Sequence, residues 1–346
     1  MPARACSPTH GFPKNSMMPA RVRGLPSIRS PLLIFLARAP AALVLFLLSA
    51  VASAEDFGVD TGKMLGSMAA ASRTLDYQGI FTYEYAGVLR SVQVSHVTRE
   101  GVEYERWYYL NGPRQEILRH GETVGCAAGL DSAPAVIAAR PAIDYQRLAS
   151  HYELHVRGED RVADRPVWVI HLVPRDLFRY GYVFAIDKES GLLLQSLLLD
   201  AAKRVLERFQ YMHVTYGVAT ETADHLIAAA ASEGIPAVCG GAGDLSAASS
   251  WELTWLPPGF RLMGRDLDEQ GVETLLFSDG LSVFSVFFDP EGDRQLPEVQ
   301  AQRGATVAQL ARVNAGGRDY LVSVVGEIPI ETAQRVAELA KHTGEQ

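Results

Sequence analysis

Residues 102–118 read Val102-Glu103-Tyr104-Glu105-Arg106-Trp107-Tyr108-Tyr109-Leu110, then Asn111-Gly112, then Pro113-Arg114-Gln115-Glu116-Ile117-Leu118. The first run is β-branched and aromatic, the composition that fits a pleated, half-buried surface. Asn-Gly tolerates positive φ at both positions, so between two extended runs it predicts a hairpin. Upstream, Ile80-Phe81-Thr82-Tyr83-Glu84-Tyr85 has the same character, and Val92 and Val94 alternate with polar neighbours. Downstream, strands are expected over residues 167–173, 180–186, 192–199 and 205–216, with Lys188-Glu189-Ser190-Gly191 as a turn. Strand after strand at short spacing predicts a meandering antiparallel sheet. Helical spacing of Met64, Met68 and Leu75 predicts a helix over residues 62–75, and residues 220–231 read as another. Residues 133–148 form a broken helix or a loop, because Pro141 interrupts them.

The pattern changes near residues 232–251. Cys239-Gly240-Gly241-Ala242-Gly243 and Ser246-Ala247-Ala248-Ser249-Ser250 have the Gly, Ser and Ala density of a linker. Nearly 300 residues after the leader described below make two domains natural, here residues 55–231 and 252–346. In the second, strands are expected over residues 251–255, 273–277, 282–288 and 320–325. A final helix follows, with Pro329 near its start, Ala333, Val336, Ala337 and Ala340 on one face, and Lys341 in its last turn. The fold class is therefore mostly β with flanking helices (α+β), a larger antiparallel domain preceding a smaller β-rich one.

The N-terminus addresses the chain. Arg21, Arg23, Arg29 and Arg38 precede the apolar run Ala41-Ala42-Leu43-Val44-Leu45-Phe46-Leu47-Leu48, which ends in Ala52-Ser53-Ala54. A basic region, a short apolar core and an A-x-A site predict a secretory signal over residues 1–54, cleaved before Glu55. A membrane-spanning helix needs roughly 20 apolar residues, and Arg38 and Pro40 interrupt this run. Met17 or Met18 is an alternative start. Of 32 basic residues, six lie in that segment with no acid, so the remainder carries 26 against 40 acidic residues, a net of −14. Such a chain is a poor match for nucleic acid, whose phosphates need a basic footprint. The charge divides unevenly: residues 55–216 hold 18 basic and 21 acidic residues, residues 217–346 hold 8 and 19. The first part can meet an anionic head group locally, whereas the second prefers a basic or apolar partner. Cys126 and Cys239 remain after the leader; an exported compartment permits a bridge between them, and two buried or unpaired thiols are the plainer reading.

Signatures of catalysis are missing. The chain has no G-x-S-x-G, no phosphate-binding G-x-x-x-x-G-K-[ST] and no H-E-x-x-H. His151 and His155 have helical ligand spacing, but Tyr152, Leu154 and Val156 alternate as on a strand. There the two imidazoles stand about 13 Å apart, too far to share a zinc. No catalytic residue, metal ligand or cofactor is expected, and the sequence predicts a binding protein rather than an enzyme. Its positive signal is aromatic: Ile80, Phe81, Tyr83, Tyr85, Trp107, Tyr109 and Leu110 give one sheet a large apolar surface, either a plain core or the lining of a ligand cavity.

Several segments, in order, resemble the RseB/MucB family. They are residues 110–119, Trp255-Leu256-Pro257-Pro258-Gly259-Phe260, residues 276–286, and Val325-Gly326-Glu327-Ile328-Pro329 running into Thr332-Ala333-Gln334-Arg335-Val336-Ala337. Residues 161–170 also resemble the strand entry of LolA-type lipoprotein carriers. The resemblance implies a periplasmic regulator of an envelope-stress σ factor, with no catalytic residues to carry over. Such a protein binds the periplasmic part of a membrane-bound anti-σ factor (RseA/MucA type), shields it from proteolysis, and is released by lipopolysaccharide or another acyl lipid. It also implies a LolA-like open β-barrel as the first, lipid-sensing domain, with Phe81, Tyr83, Tyr85, Trp107 and Tyr109 as its candidate lipid contacts. Partner binding falls to the second domain, around Trp255, Leu256, Pro257, Phe260, Ser278, Asp279 and Gly280. A periplasmic lipid or lipoprotein carrier is the alternative, and self-association into a homo-oligomer is left open.

Overall fold

The structure, a computed structural model, describes residues 60–121, 123–124, 145–232, 249–290, 299–315 and 317–343. Cys126, Cys239, the leader, most of the linker and most of residues 133–148 lie outside them. Helix α1, Thr61–Thr74, starts where the Asp60 carboxylate accepts from the Gly62 and Lys63 amides at 2.9 and 3.2 Å. It buries Met64, Leu65, Met68 and Ala71.

Ten strands then form one antiparallel sheet. The first five are β1 (Tyr77–Tyr85), β2 (Val88–Arg99), β3 (Val102–Tyr109), β4 (Glu116–His120) and β5 (Thr123–Val124). After α2 (Tyr145–His151) come β6 (Tyr152–Val162), β7 (Arg165–Pro174), β8 (Gly181–Asp187), β9 (Leu193–Leu199) and β10 (Val205–Tyr216), and α3 (Thr220–Ser232) ends the lobe. The order β5-β4-β3-β2-β1-β10-β9-β8-β7-β6 joins two meanders through the β1–β10 pair, and β5 and β6 are left as the edges of an open sheet.

The hairpins differ from the expectation in one place. Asn111-Gly112 does not make a two-residue turn, because β4 begins only at Glu116 and Tyr108 faces Glu116 across a longer loop. The Asn111 side chain instead accepts from the Ser91 amide at 2.7 Å and donates to the Leu89 carbonyl at 2.9 Å, pinning the loop to β2. The tight turns with positive φ at both residues, the conformation that matches strand twist, are Ala86-Gly87, Glu100-Gly101 and Ala163-Asp164.

The second lobe is a six-stranded antiparallel sheet ordered β12-β13-β14-β17-β16-β15. Its strands are β12 (Arg261–Leu267), β13 (Glu273–Ser278), β14 (Val283–Asp289), β15 (Gln300–Arg303), β16 (Thr306–Ala315) and β17 (Arg318–Gly326). Helix α4, Ile330–Glu338, lays Ala333, Val336 and Ala337 onto that sheet beside Phe284, Val286, Val322 and Val324. It stops short of Lys341, which lies on β18 (Ala340–His342), paired with β11 (Trp251–Leu253). No described helix is long and apolar enough to cross a membrane.

Candidate functional site

Period-two alternation puts Tyr77, Phe81, Tyr83 and Tyr85 of β1 on one side of the large sheet, and β3 and β10 add Trp107, Tyr109, Phe209 and Tyr211 to that side. The five candidate lipid contacts, Phe81, Tyr83, Tyr85, Trp107 and Tyr109, are thus brought together, each at most 5% exposed. Phe81 is the hub, with Trp107 edge-on at 5.5 Å, Phe209 at 4.9 Å and Tyr211 at 5.8 Å, while Tyr83 stacks on Tyr85 at 5.1 Å. Ile80 and Leu110, expected on the same surface, face the other side and are 37% and 47% exposed. Trp107 and Tyr109 each bring a polar group into this apolar face. The buried Trp107 indole nitrogen finds no hydrogen-bond partner among the described residues, and such a donor costs about 1–3 kcal/mol. Burial, helped by Tyr85, pushes the Tyr109 phenol up to about 12.

The candidate partner residues lie elsewhere, and most of them face the first lobe. The Asp279 carboxylate caps its own turn through Oδ1, which accepts from the Leu281 and Ser282 amides at 2.9 Å each. Its Oδ2 accepts from Arg179 Nη1 at 2.6 Å and from the Tyr152 hydroxyl at 3.1 Å. Arg179 completes its fork on Asp176 and on the Pro258 carbonyl. Both charged side chains of the Arg179–Asp279 pair have no exposure. Burial lowers the Arg179 pKa, but the Asp176 hydrogen bond and the Asp279 charge outweigh it and leave it raised. Burial and the Asp279 charge hold the Tyr152 phenol well above its ordinary range. Around this pair Leu281 and Ala305 of the second lobe pack into one apolar cluster with Leu148, Tyr152, Tyr180 and Tyr182 of the first.

Ser278 is buried and donates to the Ser282 carbonyl at 3.0 Å, and Gly280 is half-buried in the same turn. Phe260 belongs to the second lobe's core against Phe284, and Pro257 is buried nearby. Trp255 and Leu256 are half-buried; the Trp255 ring meets Phe178 edge-on at 5.1 Å and lies under the Arg335 guanidinium at 4.1 Å. Trp255 and Leu256 therefore keep part of their surface exposed, while the Asp279 charge is held at the lobe seam.

A sequence reading passed over Arg179, Tyr152 and Glu207. Arg179 and Tyr152 meet Asp279 from about a hundred residues away or more, which no local pattern encodes. Glu207 carried a signal: on β10 it occupies an inward position in phase with Phe209 and Tyr211, where a carboxylate breaks the apolar alternation. Among the described residues no group of three or more His, Cys, Asp and Glu is placed to hold a metal; His151 closes α2 and His155 lies on β6.

Residues 60–230 match the description of the MucB/RseB N-terminal domain, and residues 246–341 match that of the MucB/RseB C-terminal domain. The chain belongs to the MucB/RseB family. Among its relatives is the σ factor AlgU regulatory protein MucB of Pseudomonas aeruginosa, 36% identical over 305 residues, covering 85% of this chain and 95% of MucB. The σ-E factor regulatory protein RseB of Escherichia coli is 29% identical over 299 residues, covering 81% and 90%. The solved MucA/MucB complex of Pseudomonas aeruginosa superimposes with a TM-score of 0.69 at 33% identity, spanning 82% of this chain and 99% of that one. A second structure, MucB with MucA(peri), gives 0.67 at 32% identity over the same share. MucB/RseB proteins are regulatory binding proteins rather than a family of enzymes.

Proposed function

We propose that this chain works in the periplasm, binds the periplasmic segment of a membrane-spanning anti-σ factor, and shields that segment from proteolysis until an acyl lipid such as lipopolysaccharide releases it. The observation that carries the reading is the match of both lobes to a relative solved with the periplasmic part of MucA. The export signal read in residues 1–54 supports the compartment. The test is co-purification of the full mature chain with the periplasmic segment of its anti-σ factor, followed by protease challenge with and without lipopolysaccharide. Capture and protection that lipopolysaccharide reverses support the proposal, and failure to capture the segment sinks it.

Trp255 is proposed as part of the partner surface, because its half-open ring is held rigid by Phe178 and Arg335 and loses little entropy on docking. Trp255→Ala is expected to weaken partner binding about 30-fold, the roughly 2 kcal/mol of an aromatic anchor, with the melting temperature lower by only a few degrees. Unchanged affinity beside a large thermal loss would make Trp255 a seam residue alone.

The first lobe is proposed as the lipid sensor. The Trp107 indole N–H, without a partner among the described residues and set among Phe81, Tyr83, Tyr85 and Tyr109, supports this, since an ester carbonyl entering with an acyl chain would satisfy it. Trp107→Phe keeps an apolar ring and removes the donor. It should weaken ester-lipid binding about 5-fold while leaving free hydrocarbon probes unaffected, a difference that competition against a fluorescent fatty acid will read. Equal loss for both ligand types would leave the indole N–H without a role in lipid binding. The same observation favours a second reading, a lipid or lipoprotein carrier, which stoichiometric transfer of a lipoprotein between vesicles would reveal.

A further inference from the structure

Two of the aromatics on the first lobe's apolar face reach the second lobe, Tyr83 through the Glu207 side chain and Tyr85 through Arg303. Tyr83 donates its hydroxyl to Glu207 Oε2, and Glu207 Oε1 accepts from the backbone amide of Ala305 at 3.0 Å. Ala305 and Gly304 form the tip of the β15–β16 hairpin, and Ala305 is fully buried in the cluster shared by the lobes. Beside them the Arg303 guanidinium lies over the Tyr85 ring at 5.2 Å. The tip is tightly seated: a Cβ on Gly304, whose φ is +63°, would stand 3.1 Å from Glu207 Oε1 and 3.4 Å from Tyr85 Cβ.

Glu207 is only 7% exposed, and its carboxylate draws one donor from each lobe. A buried carboxylate that loses a donor must be re-paired or hydrated. Burial already raises the Glu207 pKa against the help of both donors. Water is near, since Glu207 and Gly304 border a cleft of about 520 Å³ between the lobes, lined also by Glu84, Arg204, Arg208 and Gln302. Displacing the Tyr83 ring therefore withdraws one donor, and lifting the hairpin tip opens the carboxylate to that cleft.

From this geometry we infer that Glu207 couples the aromatic face of the first lobe to the docking of the Gly304-Ala305 hairpin, so that an acyl chain displacing Tyr83 lifts the hairpin and loosens the partner. The inference rests on the functional reading above and adds to it the residue that carries the signal. Coupling of this kind is reciprocal: whatever undocks the hairpin must mimic the lipid.

The test uses the full mature chain, dansyl-undecanoic acid as the acyl probe and a synthetic periplasmic segment of the anti-σ factor as partner. Saturating probe is expected to speed hydrogen exchange at the Ala305 amide and to weaken partner binding, each about tenfold, within the ordinary range of allosteric coupling. Glu207→Met keeps the volume and removes both acceptors, while Gly304→Val unseats the tip by overlap. Both should exchange fast at Ala305 without probe and bind partner at the probe-loaded wild-type level, with further probe changing affinity less than about twofold. A wild-type chain that binds probe and partner with no change at Ala305 overturns the inference and leaves the functional reading standing. So does either variant, folded, that keeps the full wild-type response. A wild-type chain that binds neither overturns both.

Discussion

Replacing Arg179 by methionine is expected to destabilise the protein by about 3 kcal/mol, a fall in melting temperature of roughly 5 °C. The cause is what remains rather than what is removed. Asp279 has a side chain with no exposure, and in the variant its charge faces the seam with no cation in contact. The Tyr152 hydroxyl and the Leu281 and Ser282 amides still donate to it, which holds the cost near the lower end for a broken buried pair. Asp176 and the Pro258 carbonyl lose the guanidinium as well, so the turn that carries Phe178 loosens, and with it the Trp255 contact. Adding Asp279→Asn should recover most of the loss, because the amide oxygen keeps the turn's two backbone bonds and the stranded charge is gone. A thermal and urea-denaturation cycle over the two single variants and the double one measures this coupling. If the single Arg179 variant lies within about 0.5 kcal/mol of wild type, the pair is not buried in solution and the lobes are not seated as described.

Much of the sheet could be read from residue types alone, for reasons that mark where reading stops. Strands such as Val205–Tyr216 and Leu193–Leu199 carry their period-two signal in large side chains, and the aromatic face follows from the same alternation. Strands β12, β15 and β16 escaped notice. In β12 the register shifts between Leu262 and Gly264 and breaks the alternation; β15 is Gln-Ala-Gln-Arg and exposed along its length; β16 mixes Ala, Gln, Arg and Asn in a largely half-buried strand. Each is held by its neighbours' hydrogen bonds more than by its own apolar side chains. Asn111-Gly112 looked like the tight turn because its chemistry permits one, yet the strand after Pro113 starts too late to use it. The seam was beyond reach, since Asp279 reads as a turn residue until Arg179 and Tyr152 are seen to converge on it. Glu207 was the exception, an inward carboxylate that the alternation alone could have flagged.

Gly326, inside the Val325-Gly326-Glu327-Ile328-Pro329 segment that resembles the family, is expected to tolerate no side chain. It pairs with Phe284 on one side and Val307 on the other in the middle of the second sheet. A Cβ there would overlap Phe284 Cα and Cβ and the Val283 carbonyl, so the first collision is with backbone that has little room to yield. Gly326→Ala should therefore cost about 3 kcal/mol, the upper part of the range for overpacking a core. The damage should also spread in a particular direction. The Glu327 amide donates to the Val283 carbonyl at 2.9 Å, and Val283 follows Ser282, whose hydroxyl meets Tyr182 at 3.1 Å and whose amide holds Asp279. Pushing β14 away from β17 thus disturbs the turn that receives Arg179, and partner affinity should fall together with stability. Gly66, in the interior of α1 with nothing within 4 Å of an added Cβ, supplies the contrast: Gly66→Ala should stabilise by about 0.5–1 kcal/mol. Calorimetry of the two variants separates loss of backbone freedom, common to both, from the close approach that only Gly326 makes. A Gly326→Ala protein as stable as wild type would mean that β14 and β17 lie farther apart than their register implies.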